Sequence, residues 1–151
     1  MSFPKPASHT LRTGRVSIQN QVYLVTFVTE GRKHHFKNLY CGRLMIKTLM
    51  DTTQVKSLAF VVMPDHVHWL IQLLDEAPLS KVIHRVKSVS AYHLNKTLKR
   101  KGRFWQNGFH DHAMRKEEDI RVAARYIIAN PIRAGLVTKV GDYSHWDAVW
   151  V

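Results

Sequence analysis

Two short His-x-His runs are the parts of this chain best suited to chemistry. His66-Val67-His68 sits between the apolar runs Val61-Val62-Met63 and Trp69-Leu70-Ile71-Gln72-Leu73, with Pro64-Asp65 between. Two apolar runs around a Pro-Asp pair predict strand, tight turn, strand. On a strand, residues two apart point to one face. The two imidazoles then stand side by side and Val67 points into a core. On a helix the same spacing would send them to nearly opposite sides. A pair of imidazoles fixed on one strand face can begin a divalent-metal site. The plainer reading of an arbitrary His-x-His is two histidines on a solvated strand. The apolar middle residue and the hairpin argue against it here.

The second run is His110-Asp111-His112, on a segment from Phe109 to Arg115 that also reads as a strand. Its middle residue is an aspartate, which does not suit a buried opposite face. The first pair is therefore expected to hold the metal, and the second to contact DNA or lie half-buried. The adjacent His34-His35 cannot share a strand face, so no metal site is expected there.

The elements that must position these residues follow from periodicity. Gln21 to Glu30 is apolar on both faces and predicts a central strand. Asn38 caps a helix that runs to about Gln54. Lys56 to Met63 and His66 to Leu74 form the hairpin. Pro78 to about Lys101 is helical, closed by Gly102. Phe104-Trp105-Gln106-Asn107-Gly108 is a turn with large apolar anchors. Glu117-Glu118-Asp119 opens a last helix, with acids at its N-terminal end as the helix dipole favours. It carries Tyr126 and Asn130, four apart on one face, until Pro131 stops or kinks it. Tyr143, Trp146 and Trp150 are expected to pack back on the body. The order predicts an α+β fold: a ferredoxin-like βαββαβ sandwich with an antiparallel sheet and an additional C-terminal helix carrying the tyrosine. One domain spans 1–151, with residues 1–19 as a loose basic arm holding Lys5, Arg12 and Arg15.

Charge points to the partner. There are 23 Lys+Arg against 11 Asp+Glu, a formal net charge of +12, which suggests a polyanion. From Ala77 to His110 there is no Asp or Glu, yet there are eight Lys or Arg. Lys81, Arg85, Ser88, Tyr92, Lys96 and Lys99 on the basic helix, with Arg103 beyond it, are the candidate DNA contacts. The single cysteine, Cys41, excludes a disulfide framework and an all-cysteine zinc site, which suits a cytoplasmic setting. No apolar run is long enough to span a bilayer, so no membrane partner is expected.

Met63-Pro64-Asp65-His66-Val67-His68-Trp69 resembles the HUH motif of single-tyrosine transposases. Arg103-Phe104-Trp105-Gln106, Gly108-Phe109-His110-Asp111-His112, Tyr126-Ile127-Ile128-Ala129-Asn130-Pro131 and Ala134-Gly135-Leu136-Val137 resemble, in this order, the REP-associated tyrosine transposases. These are domesticated relatives of insertion-sequence transposases that act on palindromic hairpins in bacterial chromosomes. The resemblance covers roughly residues 14–140. It implies His66 and His68 as ligands of Mg²⁺ or Mn²⁺, Asn130 as a third ligand on the tyrosine helix, and Tyr126 as the nucleophile. It implies DNA as partner, single-stranded or hairpin, a bacterial cytoplasmic location at the nucleoid, and a monomer or homodimer, with monomer favoured. Family members frequently carry Gln or Glu where Asn130 stands.

The chemistry of the residues agrees. A phosphodiester is anionic and resists nucleophiles, and a cation held by two imidazoles stabilises charge on its oxygens. A tyrosine that attacks phosphorus keeps the ester bond energy in a 5′-phosphotyrosine, so the freed 3′-OH can later rejoin strands. A non-catalytic nucleic-acid-binding module on the same sheet is the alternative. The two differ in whether Tyr126 lies beside His66 and His68.

Overall fold

The computed structural model describes residues 20–74 and 77–149. The expected basic arm over 1–19 and Trp150 lie outside the described residues. Strand β1 (Val22–Val28) is central because both its faces are apolar: Tyr23, Val25 and Phe27 face one core, Val22 and Leu24 another. It pairs antiparallel with β3 (His66–Leu73) on one side and with β4 (His110–Met114) on the other. The hairpin partner of β3 is β2 (Val55–Val62). The sheet order is β4-β1-β3-β2-β5, where β5 is Trp146–Ala148. With α1 (Leu39–Met50) and α2 (Leu79–Leu98), the first four strands make the expected βαββαβ unit, and α3 (Glu117–Arg133) is the added helix.

Local chemistry sets the boundaries. Asn38 caps α1, its Oδ1 accepting from the backbone N–H of Tyr40 at 2.9 Å and of Cys41 at 3.2 Å. Helix α2 ends at Leu98, four residues before Gly102: Lys99 adopts the left-handed C-cap conformation at φ 53°. The basic helix is therefore shorter than its pattern predicts, and Gly102 belongs to the following turn.

Pro131 does not stop α3, which continues to Arg133. The missing N–H costs one bond, to Ile127 O. The tail is held instead by Ala134 N–H to Asn130 O at 2.9 Å and Leu136 N–H to Pro131 O at 2.9 Å.

Each face of the sheet buries its own core. On one, α1 and α2 cover Val67, Trp69, Ile71 and Leu73 of β3. On the other, Ala123, Ala124 and Ile127 of α3 pack on Val61, Leu70 and Met114. Val67 is fully buried, as expected. Asp111 is buried too, at 3% exposure, so the reasoning that an aspartate could not occupy such a face fails.

The C-terminal segment does return, and it adds a strand that the sequence pattern does not predict. β5 pairs with the β2 edge, Ala59 opposite Ala148. Tyr143 Oη donates to Val62 O at 2.6 Å. The His145 ring lies so close over Gly42 of α1 that a Cβ there would overlap it.

Candidate active site

Strand alternation puts His66 and His68 on the α3 face of β3, with Val67 turned to the other core. Their ring centroids are 4.8 Å apart. Tyr126, on the same face, brings its ring to 6.0 Å from that of His68. Three side chains singled out in the sequence are thus neighbours. Asn130 is half-buried one turn beyond Tyr126 on α3.

Both imidazoles are held through Nδ1. Asp65 Oδ1 lies 2.7 Å from His66 Nδ1. An ionised carboxylate only accepts, so His66 carries its proton on Nδ1 and keeps a lone pair on Nε2. Arg32 Nε donates to the other Asp65 oxygen at 3.0 Å. His68 Nδ1 lies 2.8 Å from Thr26 Oγ1, the residue opposite it on β1. Partners of this kind fix ring orientation and tautomer in metal-binding histidines.

Electrostatics keeps the rings neutral. Burial pushes His66 down; the Asp65 carboxylate opposes this without reversing it. Burial, helped by the Arg133 guanidinium and by the cost of protonating beside His66, pushes His68 down to about 3. Burial alone would raise Asp65, but its hydrogen bond to His66 and the Arg32 guanidinium hold it below the usual carboxylate value. At neutral pH the pair is a carboxylate and a neutral imidazole, which is the form that can ligate a metal. No group of three or more His, Cys, Asp or Glu side chains suited to a metal occurs among the described residues. The donor set is two imidazoles, with Asn130, one turn beyond Tyr126 on α3, as the expected third donor. Such a set fits a weakly held divalent ion that keeps water and takes phosphate oxygen.

Arg32, Asp65, Thr26 and Arg133 were not singled out by the sequence reading. Asp65 was legible only as a turn residue, although a carboxylate next to a candidate ligand was a signal. Arg133 stands seven residues after Tyr126, two helical turns on and on the same face, which was also visible.

The candidate DNA contacts are elsewhere. Lys81, Arg85, Ser88, Tyr92, Lys96 and Lys99 are all exposed, but α2 covers the opposite face of the sheet from Tyr126. Lys81, Ser88 and Arg103 line a groove of about 780 Å³ between α2 and the turn at 102–109. That turn reaches the site's end of the sheet: Trp105 bridges Thr29, and Arg103 lies 3.7 Å from Glu30. The second histidine pair shares the α3 face but sits on β4, the edge strand, where His110 is exposed and His112 half-buried.

The family model described as IS200-like transposase matches residues 17–130. A Haemophilus influenzae protein classed as a REP-associated tyrosine transposase is 26% identical over 136 residues, covering 82% of this chain and 77% of that protein. Among solved structures, a REP-associated tyrosine transposase bound to a REP hairpin is similar with a TM-score of 0.70 and 23% identity, over 97% of this chain and 82% of that chain. A Deinococcus radiodurans protein described as a transposase has a TM-score of 0.55 and 20% identity, over 76% of this chain and 93% of that chain. At these identities the two structural likenesses speak for the fold.

Proposed function

The chain belongs to the IS200-like transposase family, and on that premise we propose that it cuts and rejoins single-stranded or hairpin DNA through a covalent bond between Tyr126 and a 5′-phosphate. The observation that carries this is the Tyr126 ring, 6.0 Å from His68, on the face where His66 and His68 stand together. A binding module has no need of a tyrosine beside two neutral imidazoles. The hairpin held by the similar solved structure supports REP-like palindromic DNA as the substrate class.

His66 and His68, with Asn130, would hold Mg²⁺ or Mn²⁺. That ion supplies positive charge for the non-bridging phosphate oxygens. Tyr126 Oη attacks phosphorus, the bond to the 3′-oxygen breaks, and the phenol proton lost is balanced by the proton that the 3′-oxygen gains. Asp65 keeps His66 Nε2 available, and Thr26 does the same for His68 where its hydroxyl accepts from Nδ1. The exposed cations of α2 and Arg103 bind backbone phosphates away from the cut, and Tyr92, 65% exposed, offers a ring to stack on a splayed base.

The test is a labelled hairpin library with single-stranded flanks, incubated with Mg²⁺ or Mn²⁺. A denaturation-resistant adduct with the fragment whose 5′-phosphate lies at the cut, mapped to Tyr126 and absent in Tyr126→Phe, is the expected result. Full cleavage by Tyr126→Phe, or an adduct on another residue, would overturn the proposal.

A further inference from the structure

One cationic side chain at the site has no part in the chemistry so far. Arg133 places its guanidinium carbon 3.9 Å from the centroid of the Tyr126 ring, and Nη2 donates to Tyr126 O at 2.8 Å. Its charge also reaches His68. Three other arginines face carboxylates: Arg32 faces Asp65, Arg103 faces Glu30 and Arg121 faces Glu117. Arg133 is exposed and makes no ion pair among the described residues. A planar guanidinium is a fork matched to two oxygens of one phosphate. Here that fork lies against the ring of Tyr126 and within electrostatic reach of His68.

We propose that Arg133 binds the scissile phosphate, leaving the Tyr126 ring face for the non-bridging oxygens as DNA enters, and so positions phosphorus for Tyr126 Oη. This rests on Tyr126 being the nucleophile. The Oη–P bond forms as the P–O3′ bond breaks, the phenol proton leaves and the 3′-oxygen takes one up. Negative charge stays on the non-bridging oxygens throughout, and that is where the guanidinium acts. A purely structural role has a definite form as well. Pro131 gives no N–H to Ile127 O, and Arg133 covers the neighbouring Tyr126 carbonyl at this weakened turn.

The two roles separate on a substrate without the charge. Wild type, Arg133→Met and Arg133→Lys are compared on a hairpin whose cut site the wild-type adduct has mapped. It is used once with the natural phosphate and once with a neutral methylphosphonate at the cut. On phosphate, Arg133→Met should slow adduct formation by about 10²–10³-fold, and on methylphosphonate by less than about three-fold. Arg133→Lys should recover part of the loss. Equal losses on both substrates would leave Arg133 a structural support and overturn the proposal, as would no loss on either. If the wild type forms no adduct, the nucleophile assignment falls and this proposal with it; an adduct indifferent to Arg133 condemns the phosphate role alone. Should Arg133→Met unfold, Arg133→Lys and Arg133→Gln carry the same two-substrate comparison.

Discussion

His66-Val67-His68 and His110-Asp111-His112 share a spacing, a sheet and a face. Thr26 of β1 lies opposite His68 on one side and opposite His110 on the other. Only the first pair has the surroundings of a site. It lies on an inner strand, each Nδ1 has a partner, both rings are held neutral by burial, and α3 lays Tyr126 over it. The second pair lies on an edge strand with His110 exposed. The middle residue, which first ranked the pairs, does not distinguish them, since Val67 and Asp111 are both buried. The spacing puts a pair of imidazoles on one face; the neighbouring strand, the preceding turn and the covering helix make them a candidate metal site.

The largest effect should come from exchanging the pairs in a cleavage assay. His66→Ala or His68→Ala should lower hairpin cleavage by at least about 10³-fold, while DNA binding in a gel-shift assay persists. His110→Ala and His112→Ala should leave metal-dependent cleavage intact. A metal requirement lost with the second pair would reverse the comparison.

Next is the carboxylate that holds His66. Asp65→Ala should weaken Mn²⁺ binding by about 10–100-fold, read by calorimetry or spin resonance on the protein without DNA. An unchanged affinity would mean that the Asp65–His66 bond does not tune the site.

The pH dependence of stability is a smaller effect with a definite sign. His68 is held at about 3 in the folded protein, against an ordinary 6.5. Between those values the unfolded chain binds the extra proton. This contribution to stability is therefore complete above about pH 6.5 and is lost as pH falls toward 3, by about 1.4 kcal/mol per pH unit. His66, also lowered, adds in the same direction. Urea unfolding of metal-free protein between pH 7 and 5 should show the slope, and His68→Gln should flatten it.

The smallest effect concerns the far face. Lys81→Ala, Arg85→Ala and Lys99→Ala should each reduce the log-log salt dependence of single-strand binding by about 0.7. Hairpin affinity that hardly responds to salt would remove α2 from the interface.

Much of this arrangement was legible because it rests on short-range patterns. Alternation gave the strands and the shared face of His66 and His68, and Asn38 announced the start of α1. What escaped depends on contacts between distant segments. β5 is three residues long and forms by pairing with an edge, so no period could reveal it. Pro131 argued for a stop or a kink; the helix does not stop there, because the following turn supplies other hydrogen bonds. Thr26 is 42 positions from His68, and only strand register joins them. The burial of Asp111 contradicts composition-based expectation outright.

The most direct measurement is a crystal structure of the Tyr126→Phe protein with Mn²⁺ and its hairpin, read through the anomalous signal of manganese. The account predicts a single strong peak bonded to Nε2 of both His66 and His68, with a phosphate oxygen of the DNA as a further ligand and residue 126 facing that phosphorus. A peak on His110 and His112, or a scissile phosphate bound on the α2 face away from residue 126, would contradict it.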